Sequence, residues 1–312
     1  MLKLERNNKS KLSICIVTGF LGSGKTSFLK YYTEQLLKRD EKITVIMNEF
    51  GDFDVDSKIL GDKIQTISLQ NGCVCCDLQQ DLINQLSVLI NQKQSQFVII
   101  EATGIAHPLQ LIEACFDPSL AQYVHPPLVV GLVDAPRFLN RERYTASTQA
   151  LMEEQIAVSQ ALIVNKTDLV GQEEQHKIET ALKQINPNDT IYFTSYGRVN
   201  IDELEALDTA RQDVRHRHLH HHGISSIAYT FTAPIDRQIF YQFILRLPDN
   251  IYRLKGYVRF RDDPETTYLF QFANGLPDYE PIQGEVQNTI VLIGENLDKE
   301  RLRNQLDALQ FT

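Results

Sequence analysis

One segment restricts the possible folds more than any other. Gly19-Phe20-Leu21-Gly22-Ser23-Gly24-Lys25-Thr26 fits G-x-x-x-x-G-K-[ST] in full. It follows the apolar run Ser13–Thr18 and precedes Ser27–Lys38, which reads as a helix. Glycines let the backbone wrap so that N–H groups point at phosphate oxygens. The helix N-terminus adds a positive dipole. In such a loop Lys25 reaches the β- and γ-phosphates and the Thr26 hydroxyl binds Mg2+. The motif therefore predicts a strand–loop–helix unit in an α/β sheet that takes a nucleoside triphosphate.

The residues that follow extend that sheet. Lys42–Met47, Gln65–Leu69, Phe97–Ile100, Leu128–Val133, Ala161–Val164 and Ile191–Phe193 read as strands. Leu78–Ile90, Gln149–Ser159, Glu173–Ile185 and Ile201–Leu207 read as helices. Continuous apolar strands alternating with helical patterns predict a mostly parallel, Rossmann-like sheet covered on both faces. The pattern breaks at Asp208–Gly223, which is polar and rich in histidine. Beyond it Ile227–Thr232, Tyr252–Phe260, Thr267–Phe272 and Ile290–Ile293 read as strands, with helices at Arg237–Leu247 and Lys299–Leu309. Tyr268, Phe270 and Phe272 share one face. The expected organisation is a nucleotide-binding domain over 1–207, a linker over 208–222 and a smaller α+β domain over 223–312.

Composition narrows the function. The net charge is −9, and the parts before and after residue 223 are both acidic, which argues against a nucleic-acid binder. No apolar stretch approaches the roughly 18 residues of a spanning helix, so no membrane role is expected. The first residues lack the apolar core of a signal peptide. Five cysteines, three of them within four positions, do not make a secreted disulfide framework. They point to a reducing cytoplasm and to metal or redox chemistry.

Two later motifs refine the nucleotide. Asn165-Lys166-Thr167-Asp168 follows a strand, at the ligand edge of such a sheet. An Asp168 carboxylate there accepts from guanine N1–H and the exocyclic amine, which favours GTP over ATP. Thr194-Ser195-Tyr196-Gly197 is a candidate second wall of the base pocket or a plain loop. Glu101-Ala102-Thr103-Gly104 also follows a strand. Its carboxylate can hold a Mg2+-bound water, and the Gly104 N–H can meet a γ-phosphate. His107 reads as structural.

Asn71-Gly72-Cys73-Val74-Cys75-Cys76-Asp77 brings three thiols together in a polar setting. Thiolates suit Zn2+ or Cu+, and three of them leave a fourth tetrahedral position exchangeable. Inert cysteines or a redox pair are the other readings. Cys15 and Cys115 sit among apolar residues and read as packing. In Asn48-Glu49-Phe50-Gly51, Glu49 can add a metal oxygen or sense the γ-phosphate. His216, His218, His220, His221 and His222 form a weaker candidate site for Zn2+, Ni2+ or Co2+.

GFLGSGKT, NEFG, NGCVCC, EATGIAHP and NKTD, in that order, resemble the CobW-like family of P-loop GTPases. The resemblance covers nearly the whole chain, and C-x-C-C between the phosphate loop and ExxG is its most specific mark. It implies GTP hydrolysis coupled to metal insertion into a client metalloprotein. It also implies that the span from Gly22 to Ser27 holds phosphates and Mg2+, and that Asn165, Lys166 and Asp168 hold guanine. Cys73, Cys75 and Cys76 would hold the metal. Asp52 departs from the Glu common after NEFG. A GTP-regulated metal store or sensor, and cobalt handling for cobalamin assembly, are the competing readings. No arginine or glutamine can be assigned to the γ-phosphate from the sequence, and the client and oligomeric state, including a homodimer, stay open.

Overall fold

Nearly unbroken apolar runs form the central strands of the first sheet in the computed structural model. Residues 11–39, 41–47, 64–69, 75–93, 95–105, 107–187, 189–212, 224–273, 276–283 and 286–311 are described. The strands are β1 (Ser13–Gly19), β2 (Ile43–Met47), β3 (Ile64–Ser68), β4 (Phe97–Glu101), β5 (Leu128–Asp134), β6 (Ala161–Asn165) and β7 (Thr190–Phe193). All pair in parallel, in the order β3-β2-β4-β1-β5-β6-β7. The helices between them are α1 (Lys25–Leu37), α2 (Cys75–Gln92), α3 (Pro108–Cys115), α4 (Ala135–Leu139), α5 (Ala146–Ala157), α6 (Gln172–Ile185) and α7 (Ile201–Gln212).

Both faces of the five central strands, β1, β2, β4, β5 and β6, are buried, so successive residues there serve different cores. Ile163 packs with Val17, Val45, Ile99 and Val130 against Phe28, Leu29 and Tyr32 of α1 and Leu204 of α7. Its neighbours Leu162 and Val164 pack with Phe138 of α4, Ile156 of α5 and Ile178 and Leu182 of α6. This two-sided burial is why the strands lack a polar alternation. The helix expected over Ile201–Leu207 runs on to Gln212, so the stretch read as linker begins helical. The short helix α4 was not evident from periodicity, because five residues span too few turns to show one.

The second unit holds β8 (Ile224–Thr230), α8 (Arg237–Ile244), β9 (Ile251–Phe260), β10 (Asp263–Ala273), β11 (Leu276–Ile282), β12 (Thr289–Glu295) and α9 (Lys299–Phe311). Its antiparallel sheet runs β11-β10-β9-β12-β8. Phe240 and Phe243 of α8 and Leu302, Leu306 and Leu309 of α9 cover one face, over Leu254, Val258, Phe260, Phe270, Ile290 and Leu292. Tyr268 and Phe272 flank the buried Phe270 on that core. Strand β11 was missed because Pro277 and Pro281 break its pattern, and prolines of this kind are tolerated at a sheet edge. Residues Cys115–Gln122 cluster with this unit although they precede β5 in sequence. Buried Asp117 accepts from Lys255 Nζ of β9 at 2.7 Å.

Candidate functional site

The phosphate loop leaves β1 at Gly19 and enters α1 at Lys25. Gly22 and Gly24 take φ of +73° and +100°, a region closed to most residues with a Cβ. A Cβ on Gly24 would also meet the Asn165 amide. Helix α1 has no side-chain N-cap and no acidic residue in its first turn. By contrast Asp134, Thr145 and Asp236 cap α4, α5 and α8. Its first-turn N–H groups and its positive dipole end are thus left for an anion. Lys25 is buried, and its Nζ donates to the carbonyls of Gly19 at 2.8 Å and Phe20 at 3.4 Å. The Ser23 hydroxyl is buried with no hydrogen-bond partner among the described residues. An orphaned buried hydroxyl and an uncapped helix end fit a phosphate group. Thr26 and Ser27 are exposed in the first turn.

Asn165 ends β6 and is buried. Its Nδ2 donates to the Ser23 carbonyl at 2.9 Å, and its Oδ1 accepts from the Gly197 N–H at 3.0 Å. Next in the chain, Lys166 has φ of +62° and donates to Asp134 Oδ2 at 2.6 Å. Asp168 Oδ1 accepts from Ser195 Oγ at 2.7 Å. Thr167 donates through both N and Oγ1 to the Thr194 carbonyl. The loops after β6 and β7 therefore form one hydrogen-bonded wall. Tyr196, exposed and at φ +61°, stands at its rim.

Glu101 closes β4, where its register partners are Val17 of β1 and Met47 of β2. Gly104 lies against the phosphate loop, since a Cβ there would come within 2.7 Å of Leu21 N and 2.8 Å of its Cα. Gln155 Nε2 donates to the Gly104 carbonyl at 3.4 Å. His107 is exposed and shares a 2.7 Å hydrogen bond with Glu154. Met47 also pairs with Ser68 at the end of β3, and the Leu69 N–H donates to the Met47 carbonyl at 2.9 Å. The segment leading to the thiols thus departs from the sheet edge that carries Glu101.

Cys75 and Cys76 open α2. Cys73, Glu49 and the five histidines His216, His218, His220, His221 and His222 lie outside the described residues. Cys15 and Cys115 are both buried, as packing residues should be. Burial pushes the Cys115 thiol up to about 12, which leaves it a poor nucleophile and ligand. Two site residues escaped sequence reasoning, Asp134 and Arg137. A signal was present, because Asp134-Ala135-Pro136 after an apolar strand is a helix start with proline in its first turn.

A phosphate loop and an N-K-x-D loop side by side at the carboxyl edge of a parallel sheet define the P-loop GTPase fold. Within that class, the chain belongs to the CobW/HypB/UreG family, whose nucleotide-binding domain matches residues 13–193. The cobalamin synthesis protein cobW C-terminal domain matches residues 224–310. The chain is 28% identical to the protein named zinc chaperone YjiA of Escherichia coli, over 96% of this chain and 99% of that one. It is 27% identical to zinc-regulated GTPase metalloprotein activator 1 of Schizosaccharomyces pombe, over 92% of this chain and 83% of that one. The crystal structure of Zn(II)-bound YjiA GTPase from E. coli shares the fold with a TM-score of 0.50 at 24% identity, covering 96% of this chain and 99% of that one. No helix among the described residues is long and apolar enough to cross a membrane.

Proposed function

We propose that the chain is a GTP-hydrolysing metallochaperone that binds zinc through Cys73, Cys75 and Cys76 and passes it to the apo-form of a client metalloprotein. The observation that carries the nucleotide assignment is the Ser195–Asp168 hydrogen bond. It orients a carboxylate at the ligand edge of the sheet, where guanine offers two donors and adenine does not. The family and the zinc-related names of the relatives support the cargo. They favour Zn2+ over Co2+.

In this reading Gly19, Gly22, Ser23, Gly24 and Ser27 cradle the phosphates while Lys25 neutralises the β- and γ-oxygens. Thr26 and Glu101 hold Mg2+, which when bound spreads the charge that develops on the phosphates. The Gly104 N–H meets the γ-phosphate. Glu49 adds an oxygen to the zinc site, and the linker histidines bind metal more weakly. The clustered thiols support a reducing, cytoplasmic setting. Neither nucleic acid nor membrane is needed, and a homodimer is compatible with the scheme.

Zinc and nucleotide are coupled through the sheet edge. The thiol segment starts beside Met47 and returns through α2 to β4 and Glu101. Loss of γ-phosphate contacts commonly releases loops tethered in this way. Coupling of about 1–3 kcal/mol gives a Zn2+ affinity roughly 5–150-fold different between the states with a non-hydrolysable GTP analogue and with GDP. Paired Zn2+ titrations at matched Mg2+ test this. Equal affinities would count against gating and favour a GTP-regulated store.

A further inference from the structure

The phosphate loop is held by a cation that lies outside its motif. Arg137 stands in the first turn of α4, directly after β5, and its backbone N–H donates to the capping Asp134 Oδ1 at 2.9 Å. Its Nη1 donates to the Leu21 carbonyl. Its guanidinium lies 3.2–3.3 Å from the place where a Cβ on Gly22 would stand, so a side chain there would push it back by a few tenths of an ångström. Arg137 Nε is 3.8 Å from Asp134 Oδ2, the oxygen that also accepts from Lys166 Nζ at 2.6 Å. Asp134 is buried, while Arg137 and Lys166 are partly exposed. A chain of charges thus runs from Lys166 of the N-K-x-D loop through Asp134 and Arg137 to Leu21.

The Leu21 carbonyl and the Gly22 N–H belong to one peptide unit. The unit is trans, so the two groups point in opposite directions. A cation on the oxygen draws electron density from the nitrogen and makes the N–H a stronger donor. N–H groups of such a loop face the phosphates. Charge spreads over the phosphate oxygens as the phosphoryl group transfers. Fixed donors aimed at that charge act on the transition state more than on the bound product.

We propose that Arg137 is a positioning residue for GTP hydrolysis. It locks and polarises the Leu21–Gly22 peptide, and Asp134 ties its placement to Lys166 in the guanine loop. This rests on the GTPase reading above. No atom of Arg137 is required to touch nucleotide, and Lys25 keeps its own role.

The test uses the full chain as wild type, Arg137→Met and Arg137→Lys. Methionine keeps an unbranched apolar stem and removes the charge. Three quantities are measured with Mg2+: the single-turnover hydrolysis rate, the Kd for GDP, and the Kd for GDP with aluminium fluoride as a transition-state mimic. Loss of a direct transition-state donor typically costs about 10²–10³ in rate, and a group acting through a peptide should cost about 10-fold. Arg137→Met should lose rate and fluoride-complex affinity by that factor while GDP affinity moves by less than about 3-fold, and Arg137→Lys should recover part of both. An unchanged rate in Arg137→Met overturns the assignment, as does equal weakening of GDP and the fluoride complex, which would mark a structural prop. A wild type that turns over no GTP, with or without Zn2+, sinks the GTPase reading and this proposal together. Normal wild-type turnover with an equally fast Arg137→Met sinks only the latter.

Discussion

Asn165 is bonded to Ser23: its amide nitrogen donates to the Ser23 carbonyl at 2.9 Å, across 142 residues of sequence. The same carboxamide accepts from Gly197. One buried side chain therefore sets the distance between the phosphate loop and the loops after β6 and β7. Asn165→Ala would leave a carbonyl and an N–H without partners. Each such loss costs about 1–3 kcal/mol, so a drop of that order in unfolding free energy is expected in denaturant titration. Affinity for GDP should fall with it. A variant as stable and as tightly binding as wild type would show that the two loops are held apart by something else.

Asp168→Asn tests the base. An amide presents a donor to the guanine amine, so GTP affinity should fall by about 1–3 kcal/mol. Xanthosine triphosphate should gain, because its 2-oxo group accepts the new donor. Ser195→Ala should weaken GTP less, since it only frees the carboxylate to turn. Competition titrations with GTP, ATP and XTP read all three. Equal wild-type affinity for ATP and GTP would refute the guanine assignment.

Gly104→Ala probes the approach of ExxG to the phosphate loop. Its Cβ would come within 2.7–2.8 Å of Leu21 backbone atoms, so one segment must retreat. Catalytic alignment of this kind is sensitive to shifts of about 1 Å, with losses on the order of 100-fold. Single-turnover hydrolysis should therefore collapse while GDP, which lacks the γ-phosphate, binds nearly as before. Comparable losses of GDP binding and of rate would mean that the glycine supports the loop itself.

Asp189 predicts a pH dependence unrelated to the nucleotide. Burial raises its carboxyl from the ordinary 3.8 to about 8, against a smaller lowering by Lys183, and its Oδ2 has no hydrogen-bond partner among the described residues. The folded state then binds the proton more tightly than the unfolded one. Stability should be flat below 3.8 on this account, fall as pH rises towards about 8, and level off above it. Asp189→Asn should flatten this slope in thermal melts across that window. Asp189 precedes β7 at the end of the strand away from Thr194 and Ser195, so GTP affinity should not change.

Cys73, Cys75 and Cys76 changed together to Ser should abolish tight Zn2+ binding, and wild-type affinity should fall at low pH because thiolates must form. Replacing His216, His218, His220, His221 and His222 should remove weak binding alone, because closing a site from a segment read as linker costs chain entropy. Equilibrium Zn2+ competition with a chromophoric chelator measures both. Loss of tight binding in the histidine-free protein would reassign the ligands.

Local chemistry made much of the site legible. G-x-x-x-x-G-K-T needs positive φ, a helix start and a cation within eight residues, so its geometry is written in neighbouring positions. Parallel strands buried on both faces leave long apolar runs, and Leu162, Ile163 and Val164 show that pattern in sequence as clearly as in the two cores they serve. Strand β11 and helix α4 were less visible, because an edge position tolerates prolines and five residues are too few for a helical period.

The amino-acid sequence by itself determined the strand–helix alternation, the phosphate loop and the guanine-type loop, because each depends on residues close together in the chain. Tertiary structure alone decided which distant groups meet. It set Lys166 on Asp134, Arg137 on Leu21 and Gly104 against the phosphate loop. It also assigned Cys115–Gln122 to the second unit. The physical reason is that these pairings follow from strand order. Inserting β1 between β4 and β5 puts the ends of those strands on either side of the loop, and nothing in the spacing of residues along the chain encodes that order.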